Sequence, residues 1–466
     1  MTPKTPDEWL AYLGQKLDYR QTELLRVHRY VVGDAPLPEG ATDVAEAYQR
    51  WQRLARTNFA NLIVDAVCDR MTIAGFRVGD QTEDNDSART LWRRSLGDAM
   101  APDVHSDMLN YGIGYVMASA GRDGAVLTRE SPFTTITDHD PLEPMWVRAG
   151  LKIWTDQDTD HAVVHLPGRV HRYRRSHHHR GLGPITAGNA GGWQADGDAP
   201  TGLDRVPIVR FANRGGVGEF ARHTDLLDRI NWVILQRLLI IAMQAFRQRA
   251  LRKTAENVEL EDTDPATGED IDYAEMFAPG PDALWDLPYG VEIWESQPGD
   301  ITQILSAVKD DLRDLGAVTR TPMSVLTPDS ANQSAEGAAF AREGLVFKAS
   351  DRISRATPGW DVAVDLGLRL DRAASGPVVT QWLPAERQSL AEKADAAQKL
   401  ASGPGGAPIL SRRRIITDIL GYGADVADQM EAELASETLT TALTAALTAP
   451  SVPDEPVGVD GPPGDA

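Results

Sequence analysis

Residues Thr224-Asp-Leu-Leu-Asp-Arg-Ile-Asn-Trp-Val-Ile-Leu-Gln-Arg-Leu-Leu-Ile-Ile-Ala-Met-Gln-Ala-Phe246 decide the fold. Their apolar side chains cover nearly the whole circumference of one helix, which we expect to run from Glu219 to Lys253. Such a helix must be buried on all sides or span a membrane. A span needs about 20 consecutive apolar residues, and Gln236 with Arg237 interrupts the run. We therefore expect a helix packed on several sides, some of them supplied by neighbouring subunits. Its basic end suits a helix C-terminus: Arg247, Arg249, Arg252 and Lys253.

The 466 residues carry a net charge of −21, and this charge is concentrated in two strips. Glu256–Asp300 contains fourteen acidic residues and no Lys or Arg, and Ile415–Ala466 contains ten and again no base. The rest of the chain is close to neutral, at +3. Like-charge stretches usually form a solvated face or tail. On charge alone, the balance argues against a protein that coats DNA, because that binding rests on Lys and Arg neutralising phosphates.

Length and cysteine content narrow the class of protein further. This length predicts two to four structural units. One cysteine, Cys68, excludes a disulfide framework and a CxxC metal site. Residues 1–15 lack a basic stretch followed by an apolar one, so we expect no signal peptide.

Hydrophobic periodicity predicts an α+β fold that is mostly helical. Short apolar runs separated by Asp, Gly and Pro make 112–211 β-rich. A long helix from Ala335 to about Leu370 contains Pro358-Gly359, which should break or kink it. Further helices are expected near 9–31, 45–71, 91–111, 301–318, 389–400, 410–420 and 424–447, with strands at 72–78 and 376–383.

Signatures of catalysis are absent or weak. No Walker P-loop, HExxH, GxSxG or full GxGxxG pattern occurs. Gly112-Ile-Gly114 and Gly216-Val-Gly218 are the nearest matches to a dinucleotide loop. Asp138-His-Asp140, with His171 and the tract 177–179, leaves a metal-dependent hydrolase as an alternative. The leading expectation is no catalytic residue, no metal and no cofactor.

The order of these pieces, together with several local stretches, carries a family resemblance. Helices containing Asn58–Asp65 and Gly75-Phe76 precede the β-rich unit, a long helix, an acidic insertion, a second helix, a polar loop and another long helix. The C-terminal run then reads Trp382-Leu-Pro-Ala-Glu386, Ala391-Glu-Lys-Ala-Asp-Ala396 and Ile419-Leu-Gly-Tyr422. Over residues 5–435 the chain resembles the portal proteins of tailed double-stranded DNA bacteriophages, in the branch found in phages of actinobacteria.

The resemblance implies a division of the chain into wing, stem, clip, tunnel and crown. The implied parts are the N-terminal helical part of the wing (1–111), the β-rich wing (112–218), the stem helices (219–254 and 300–320), the clip (255–299), the tunnel loop (321–334), the kinked tunnel helix with a wing strand (335–385), the crown (386–448) and a disordered tail (449–466).

The resemblance also implies a function without enzymatic activity. Such proteins form a dodecameric ring at one capsid vertex, assembled in the host cytoplasm, through which double-stranded DNA is packaged and ejected. The implied partners are the terminase large subunit, a head-tail adaptor, the major capsid protein and scaffold protein, with no membrane. A capsid scaffold or adaptor without a channel remains an alternative.

Two groups of residues are candidates for this function. In the tunnel loop the candidates for facing DNA carry no cation, which suits a surface that must not hold phosphates: Asp329, Ser330, Asn332, Gln333 and Ser334. An exposed connector without contact to DNA is the alternative for this segment. In the clip, Trp285 and Trp294 are candidates for binding partners, because tryptophans commonly anchor interfaces.

Overall fold

The computed structural model describes residues 3–37, 46–80, 84–176, 192–245, 249–253, 263, 268, 270, 291–295, 302–327, 335–373, 376–386, 390–402, 407–422 and 424–448. The chain divides into two compact units. The first unit comprises 1–24, 64–218 and 342–466, and the second comprises 25–63 and 219–341. The predicted tail, the tract His177–His179, and the tunnel-loop residues 328–334 lie outside the described residues.

Helices account for about half of the described residues, and the predicted α+β class is confirmed. The helices are α1 (Pro6–Val31), α2 (Glu46–Leu54), α3 (Phe59–Cys68), α4 (Asp86–Arg94), α5 (Gly97–Tyr111), α6 (Thr224–Ala245), α7 (Thr302–Thr319), α8 (Met323–Leu326), α9 (Ala335–Asp371), α10 (Leu390–Ala401), α11 (Arg412–Arg414, continued by a π turn over Ile415–Leu420) and α12 (Ala424–Thr448). Within the described residues, no helix is both long enough and apolar enough to cross a membrane.

The strands form antiparallel ladders. They are β1 (Ile73–Val78), β2 (Ile113–Gly121), β3 (Gly124–Glu130), β4 (Thr135–His139), β5 (Val147–Asp156), β6 (Thr159–Leu166), β7 (Arg169–Ser176), β8 (Gln194–Pro200), β9 (Ile208–Ala212), β10 (Arg249–Lys253), β11 (Val291–Glu295) and β12 (Val378–Trp382). Their order is β4-β5-β6-β7-β8 in one sheet and β3-β2-β9 in a second, while β1 pairs with β12 and β10 with β11.

The core of the first unit forms where α1 covers the five-stranded sheet. Trp9, Leu10, Leu13 and Leu17 recur at helical spacing, so they share one face of α1. That face packs against alternate residues of the strands, which point to one side of a sheet: Ile136, Leu151, Ile153, Val164 and Tyr173. Leu13 and Leu17 are fully buried, and each contributes roughly 1.5–3 kcal/mol.

Two predicted helices are each interrupted by a local hydrogen-bonding device. The expected helix 45–71 divides into α2 and α3, because the Asn58 side chain accepts from the Asn61 backbone N–H at 3.4 Å and starts a new helix. The expected helix 91–111 divides at Leu96, whose φ of 52° lies in the left-handed region. There the Ser95 hydroxyl donates to the Leu91 carbonyl at 2.7 Å. Periodicity alone does not detect such interruptions.

Of the expected break or kink at Pro358, the break was wrong, since the chain stays helical from Ala335 to Asp371, and the kink stays a prediction. Residues on both sides of the proline are fully buried, including Ala356 and Trp360. Gly359 lies so close to Phe211 that an added Cβ would be 2.6 Å from its ring. Packing on both sides of Pro358 therefore holds the helix through a residue that lacks a backbone N–H.

The glycine pairs that resembled a dinucleotide loop serve backbone packing. A Cβ on Gly218 would lie 1.9 Å from the Asn110 carbonyl oxygen. A Cβ on Gly112, whose φ is +80°, would lie 2.3 Å from the carbonyl oxygen of Gly216. The end of α5 thus crosses the turn that precedes α6 at a distance that only glycine allows.

The second unit is built around an antiparallel pair of helices, α6 and α7. Arg229, near the start of α6, pairs with Asp311 at 2.7 Å and with Asp314 at 3.3 Å in the second half of α7. The Tyr30 hydroxyl donates to the Asp228 carboxylate at 2.8 Å, and the Thr57 backbone N–H donates to the Asn231 side chain at 2.9 Å. Residues 25–63 therefore cover a second side of α6.

The basic end predicted for this helix is instead a strand. Helix α6 ends at Ala245, and Arg249–Lys253 pairs with Val291–Glu295. The register places Arg249 opposite Glu295 and Arg252 opposite Glu292. This long-range backbone pairing was not visible in the local pattern of residues 219–253.

We expect Gly218→Ala to lower the free energy of unfolding by about 1–3 kcal/mol, because the new methyl group would overlap the Asn110 carbonyl. The matched control is Gly344→Ala in α9, where nothing lies within 4 Å of the added Cβ. That variant should be neutral or stabilised by up to about 1 kcal/mol. Urea unfolding followed by circular dichroism measures both. Equal stabilities for the two variants would contradict the close approach.

Candidate channel and partner-binding elements

The strand pair β10 and β11 holds the two ends of the acidic segment 254–290 side by side. Strand β10 follows α6, and β11 precedes α7. The acidic segment therefore leaves one helix and returns to the other. Trp294 lies in β11, opposite Ala250. Trp285 lies outside the described residues. The helix–insertion–helix arrangement expected from the sequence is thus present, while its assignment as stem and clip stays a prediction.

The first part of the loop expected at 321–334 is packed rather than exposed. Met323–Leu326 forms α8, and Thr321 and Leu326 are buried. The Thr319 hydroxyl donates to the Leu315 carbonyl at 2.6 Å and contacts the Thr321 hydroxyl at 2.9 Å. The five candidates for facing DNA, Asp329, Ser330, Asn332, Gln333 and Ser334, lie outside the described residues. Their role stays a prediction, and the connector can begin no earlier than Thr327.

Helices α6 and α7 leave apolar side chains uncovered. Ile230, Ile234 and Leu235 of α6 are buried against the rest of the second unit. Other large apolar residues on the pair keep a substantial exposed fraction: Trp232 39%, Ile241 45%, Leu305 38% and Val318 52%. Sequence reasoning named neither Leu305 nor Val318 as functional, although α7 carries them outside its buried stripe of Val308, Leu312 and Leu315.

Two residues of the hydrolase alternative, Asp138 and His139, are engaged in structural contacts. Asp138 accepts from Lys16 Nζ at 3.0 Å and from Arg148 Nε at 2.9 Å. Both ring nitrogens of His139 are occupied, Nδ1 by the Pro144 carbonyl at 2.7 Å and Nε2 by the Thr137 hydroxyl at 2.8 Å. His171 lies on β7, three strands from His139 on β4, or about 14 Å at the usual strand spacing.

Asp138, His139 and His171, the described positions of that alternative, do not meet the requirements of a metal centre. Among the described residues, no three His, Cys, Asp or Glu side chains come close enough to hold a metal ion. Burial raises the pKa of Asp138, but the hydrogen bonds from Lys16 and Arg148 lower it by more. The net effect is a pKa below the usual value for Asp. Its carboxylate is therefore held as a buried ion-pair partner of two cations.

Three histidines of the first unit, His105 and His165 buried and His139 half-buried, remain neutral at physiological pH. Burial lowers the pKa of His105 to about 3, and that of His139 and His165 to about 4. The Lys152 ammonium lowers the pKa of His165 further. His105 accepts from the Trp360 indole N–H at 2.9 Å, deep in the core. Their positions indicate that these histidines are packing residues rather than acid–base groups.

The depressed pKa of His165 predicts acid sensitivity of the first unit. In the unfolded chain a histidine titrates near pH 6.5, so between about pH 6.5 and 4 the unfolded state binds a proton that the folded state does not. Stability is therefore full above pH 6.5 and falls as the pH drops. Lowering the pH from 7 to 4.5 should reduce the free energy of unfolding of both proteins. The reduction should be about 2 kcal/mol smaller in His165→Gln than in the unsubstituted protein. Urea titrations at both pH values measure the difference, and an identical loss would contradict it.

Comparisons with known proteins place the chain in a family. The family model described as phage portal protein, SPP1 Gp6-like, matches residues 12–435. The portal protein of Mycobacterium phage D29 is 23% identical over 447 residues, covering 89% of this chain and 87% of that protein. The portal protein of Mycobacterium phage L5 is 22% identical over 453 residues, covering 90% and 88%. Both phages belong to the actinobacteriophage branch expected from the sequence.

Solved structures similar to this chain come from gene transfer agent (GTA) particles. The neck of the native particle, computed with C12 symmetry, gives a TM-score of 0.44 at 12% identity and covers 84% of this chain and 97% of that one. The neck of the empty particle, computed with C6 symmetry, gives 0.44 at 13% identity, covering 84% and 98%.

The family match spans nearly the whole chain, and its members are structural proteins of the virion that connect head and tail. The metal-dependent hydrolase finds no support in the comparisons. The chain belongs to the phage portal protein family, and its role is structural rather than enzymatic.

Proposed function

We propose that the chain assembles into a dodecameric ring at one capsid vertex, and that double-stranded DNA passes through this ring during packaging and ejection. The observation that carries the proposal is the uncovered apolar surface of α6 and α7. A helix that is apolar all round needs cover on every side, and the described chain covers α6 with α7 and with residues 25–63 only in part. Second copies of the chain supply the rest, as closed symmetric oligomers do.

The magnitude of this burial supports assembly. Trp232, Ile241, Leu305 and Val318 are between 38% and 52% exposed in the single chain. Full burial of such a side chain contributes roughly 1.5–3 kcal/mol. Completing the burial of all four therefore adds on the order of a few kcal/mol to each subunit contact. That is a useful contribution to an interface, and leaving these residues in water would favour aggregation.

The candidate tunnel loop suits a channel wall because it lacks cations. Residues 328–334 contain Asp329 and no Lys or Arg. A polyanion that must slide should not meet phosphate-binding cations, because each such contact releases counterions and holds the strand. In this proposal α6 and α7 form the stem, 255–299 the clip, 328–334 the tunnel loop and α9 the tunnel helix. The first unit supplies the wing and, from 386 to 448, the crown.

Partner binding is assigned to the two ends of this arrangement. The clip, held by β10 and β11, is the docking surface for the terminase large subunit and the head-tail adaptor. Its acidic composition together with Trp285 and Trp294 supports this role. The wing and crown would contact the major capsid and scaffold proteins. Assembly would take place in the host cytoplasm, before the vertex becomes part of the virion.

A double substitution on the stem tests the ring. Ile241→Asp with Val318→Asp would place two carboxylates in the subunit contact, and burying an unpaired charge costs several kcal/mol. We expect rings to be lost or reduced at least tenfold by native mass spectrometry and electron microscopy, while circular dichroism stays unchanged. Leu142→Asp is the matched control, because this exposed leucine belongs to the first unit.

Three results would contradict the proposal in different ways. A monomer or dimer of the unsubstituted protein at micromolar concentration would exclude the ring. An oligomer that lacks a central hole would favour a scaffold or adaptor instead. Equal loss of rings in the Leu142→Asp control would show that the stem surface is not the specific contact.

The tryptophans of the clip give a separate prediction. Replacing Trp285 and Trp294 together with Ala should weaken binding of the head-tail adaptor or of the terminase large subunit by at least tenfold, because aromatic anchors carry much of an interface's energy. Ring formation should be unchanged, since the stem contacts remain. Surface plasmon resonance with purified partners measures the affinity. Disassembly of the ring would instead place these residues in the subunit core.

A further inference from the structure

The first unit contains a pocket of about 260 Å³ where β9 meets α9 and the loop that joins β4 to β5. Its described lining includes three arginines, Arg205, Arg210 and Arg355, and neither Asp nor Glu. Small-molecule pockets span roughly 300–1,000 Å³, so this cavity suits one or two side chains better than a nucleotide. In a chain with a net charge of −21, a pocket whose charged lining residues are all cations requires an explanation. We name it the arginine pocket.

Two of its three guanidinium groups lack a carboxylate partner among the described residues. Arg355 is neutralised, because its Nε donates to Asp351 at 3.0 Å one turn earlier in α9. Arg205 stacks over the Trp146 ring at 5.2 Å, and its Nε is buried without a hydrogen-bond partner in the described part of the chain. Arg210 forms neither an ion pair nor a side-chain hydrogen bond with any described residue. Within the described part of the chain, two positive charges are therefore left without a carboxylate partner.

The low pKa of His139 reflects this positive charge. Burial is the largest cause of its low pKa, and the Arg210 charge is the next. Because the Pro144 carbonyl can only accept, Nδ1 carries the ring hydrogen and Nε2 accepts from Thr137. A neutral imidazole with both nitrogens engaged adds no charge of its own and offers no group to a ligand. Asp138 opposes this effect on the pKa of His139 in part, and its carboxylate is already paired with Lys16 and Arg148.

The loop that supplies Pro144 and Met145 to the pocket also carries exposed apolar side chains. Leu142 is 91% exposed and Met145 is 53% exposed. The loop that carries them is held by Asp140, whose carboxylate accepts from the Leu142 backbone N–H at 2.8 Å and whose backbone N–H donates to the Trp146 carbonyl at 2.9 Å. A rigid loop loses little conformational entropy on binding, and Met and aromatic residues with Arg are enriched in protein interfaces.

We propose that the arginine pocket binds an Asp or Glu side chain of a protein partner, with Leu142 and Met145 contacting an apolar residue beside it. Guanidinium groups bind carboxylates through paired hydrogen bonds, and Arg205 and Arg210 have donors to spare. Duplex DNA fits this surface poorly, because the loop beside the pocket presents Leu142, Met145 and the exposed Glu143, whereas DNA binding needs several accessible cations along the backbone. The proposal extends beyond the ring, since none of the described lining residues belongs to α6 or α7.

Calorimetry on the purified full-length protein tests the proposal with a minimal probe, N-acetyl-glutamyl-leucinamide. We expect saturable binding of one probe per chain. The uncharged analogue N-acetyl-glutaminyl-leucinamide should bind at least tenfold more weakly, because a partly buried ion pair is worth about one such factor. Arg210→Met should weaken binding of the charged probe by a similar factor. The matched control, Arg214→Met, removes an exposed arginine outside the pocket and should change nothing.

A substitution of Leu142 tests the apolar contact beside the pocket. Leu142 is nearly fully exposed, so Leu142→Ser should leave folding unchanged and weaken the probe two- to fivefold by removing part of its apolar contact. Absence of saturable binding, equal affinity for the uncharged analogue, or unchanged affinity in Arg210→Met would each overturn the proposal. Inorganic phosphate that binds as tightly as the charged probe would also overturn it, by identifying a phosphate site instead. None of these results depends on whether the ring forms.

Discussion

The apolar circumference of α6 is the constraint on which the rest of the second unit depends. The chain covers one side of α6 with α7, joined through Arg229, Asp311 and Asp314. It covers another with residues 25–63, through Tyr30 and Thr57. Asp228, Arg229 and Asn231 of α6 thus fix the positions of its neighbours. What remains is an apolar surface on α6 and α7 that a single chain leaves in water, and this is the physical reason to infer assembly from one chain.

The first unit solves a different problem, since it must bury many charges inside a β-rich core. Buried carboxylates there are matched to cations: Asp107 with Arg129, Glu130 with Lys152, Asp138 with Lys16 and Arg148, and Asp160 with Arg175. Such pairs add little net stability, because desolvation offsets their attraction. They do disfavour other strand registers, in which a charge would be buried alone. Against this matched background, the unmatched Arg205 and Arg210 stand out.

The sequence predicted the broad order of elements and the family, because both depend on long, strongly periodic segments. It predicted the β-rich region and both long helices that bound the acidic insertion. It missed features that depend on contacts distant in sequence. Residues 249–253 look helical until residues 291–295 pair with them. Gly112 and Gly218 look like a ligand loop until the end of α5 is seen to cross them. Pro358 looks like a helix break in the sequence, but buried residues on both sides of it hold the helix together.

The candidate site was predictable only by region, and charge explains why. Residues that must not bind DNA are defined by the absence of cations, and an absence does not single out one side chain. The insertion 256–300 carries fourteen acids without a base, so a ring would concentrate negative charge at one end of the channel. At physiological ionic strength this repulsion is screened within about 8 Å. It therefore acts on DNA that approaches the wall and hardly at all on DNA at the centre of a wider opening. In the proposed ring, an acidic clip would keep the strand away from its surface without opposing its passage, and the same acidity would remain available for binding partners on the outside.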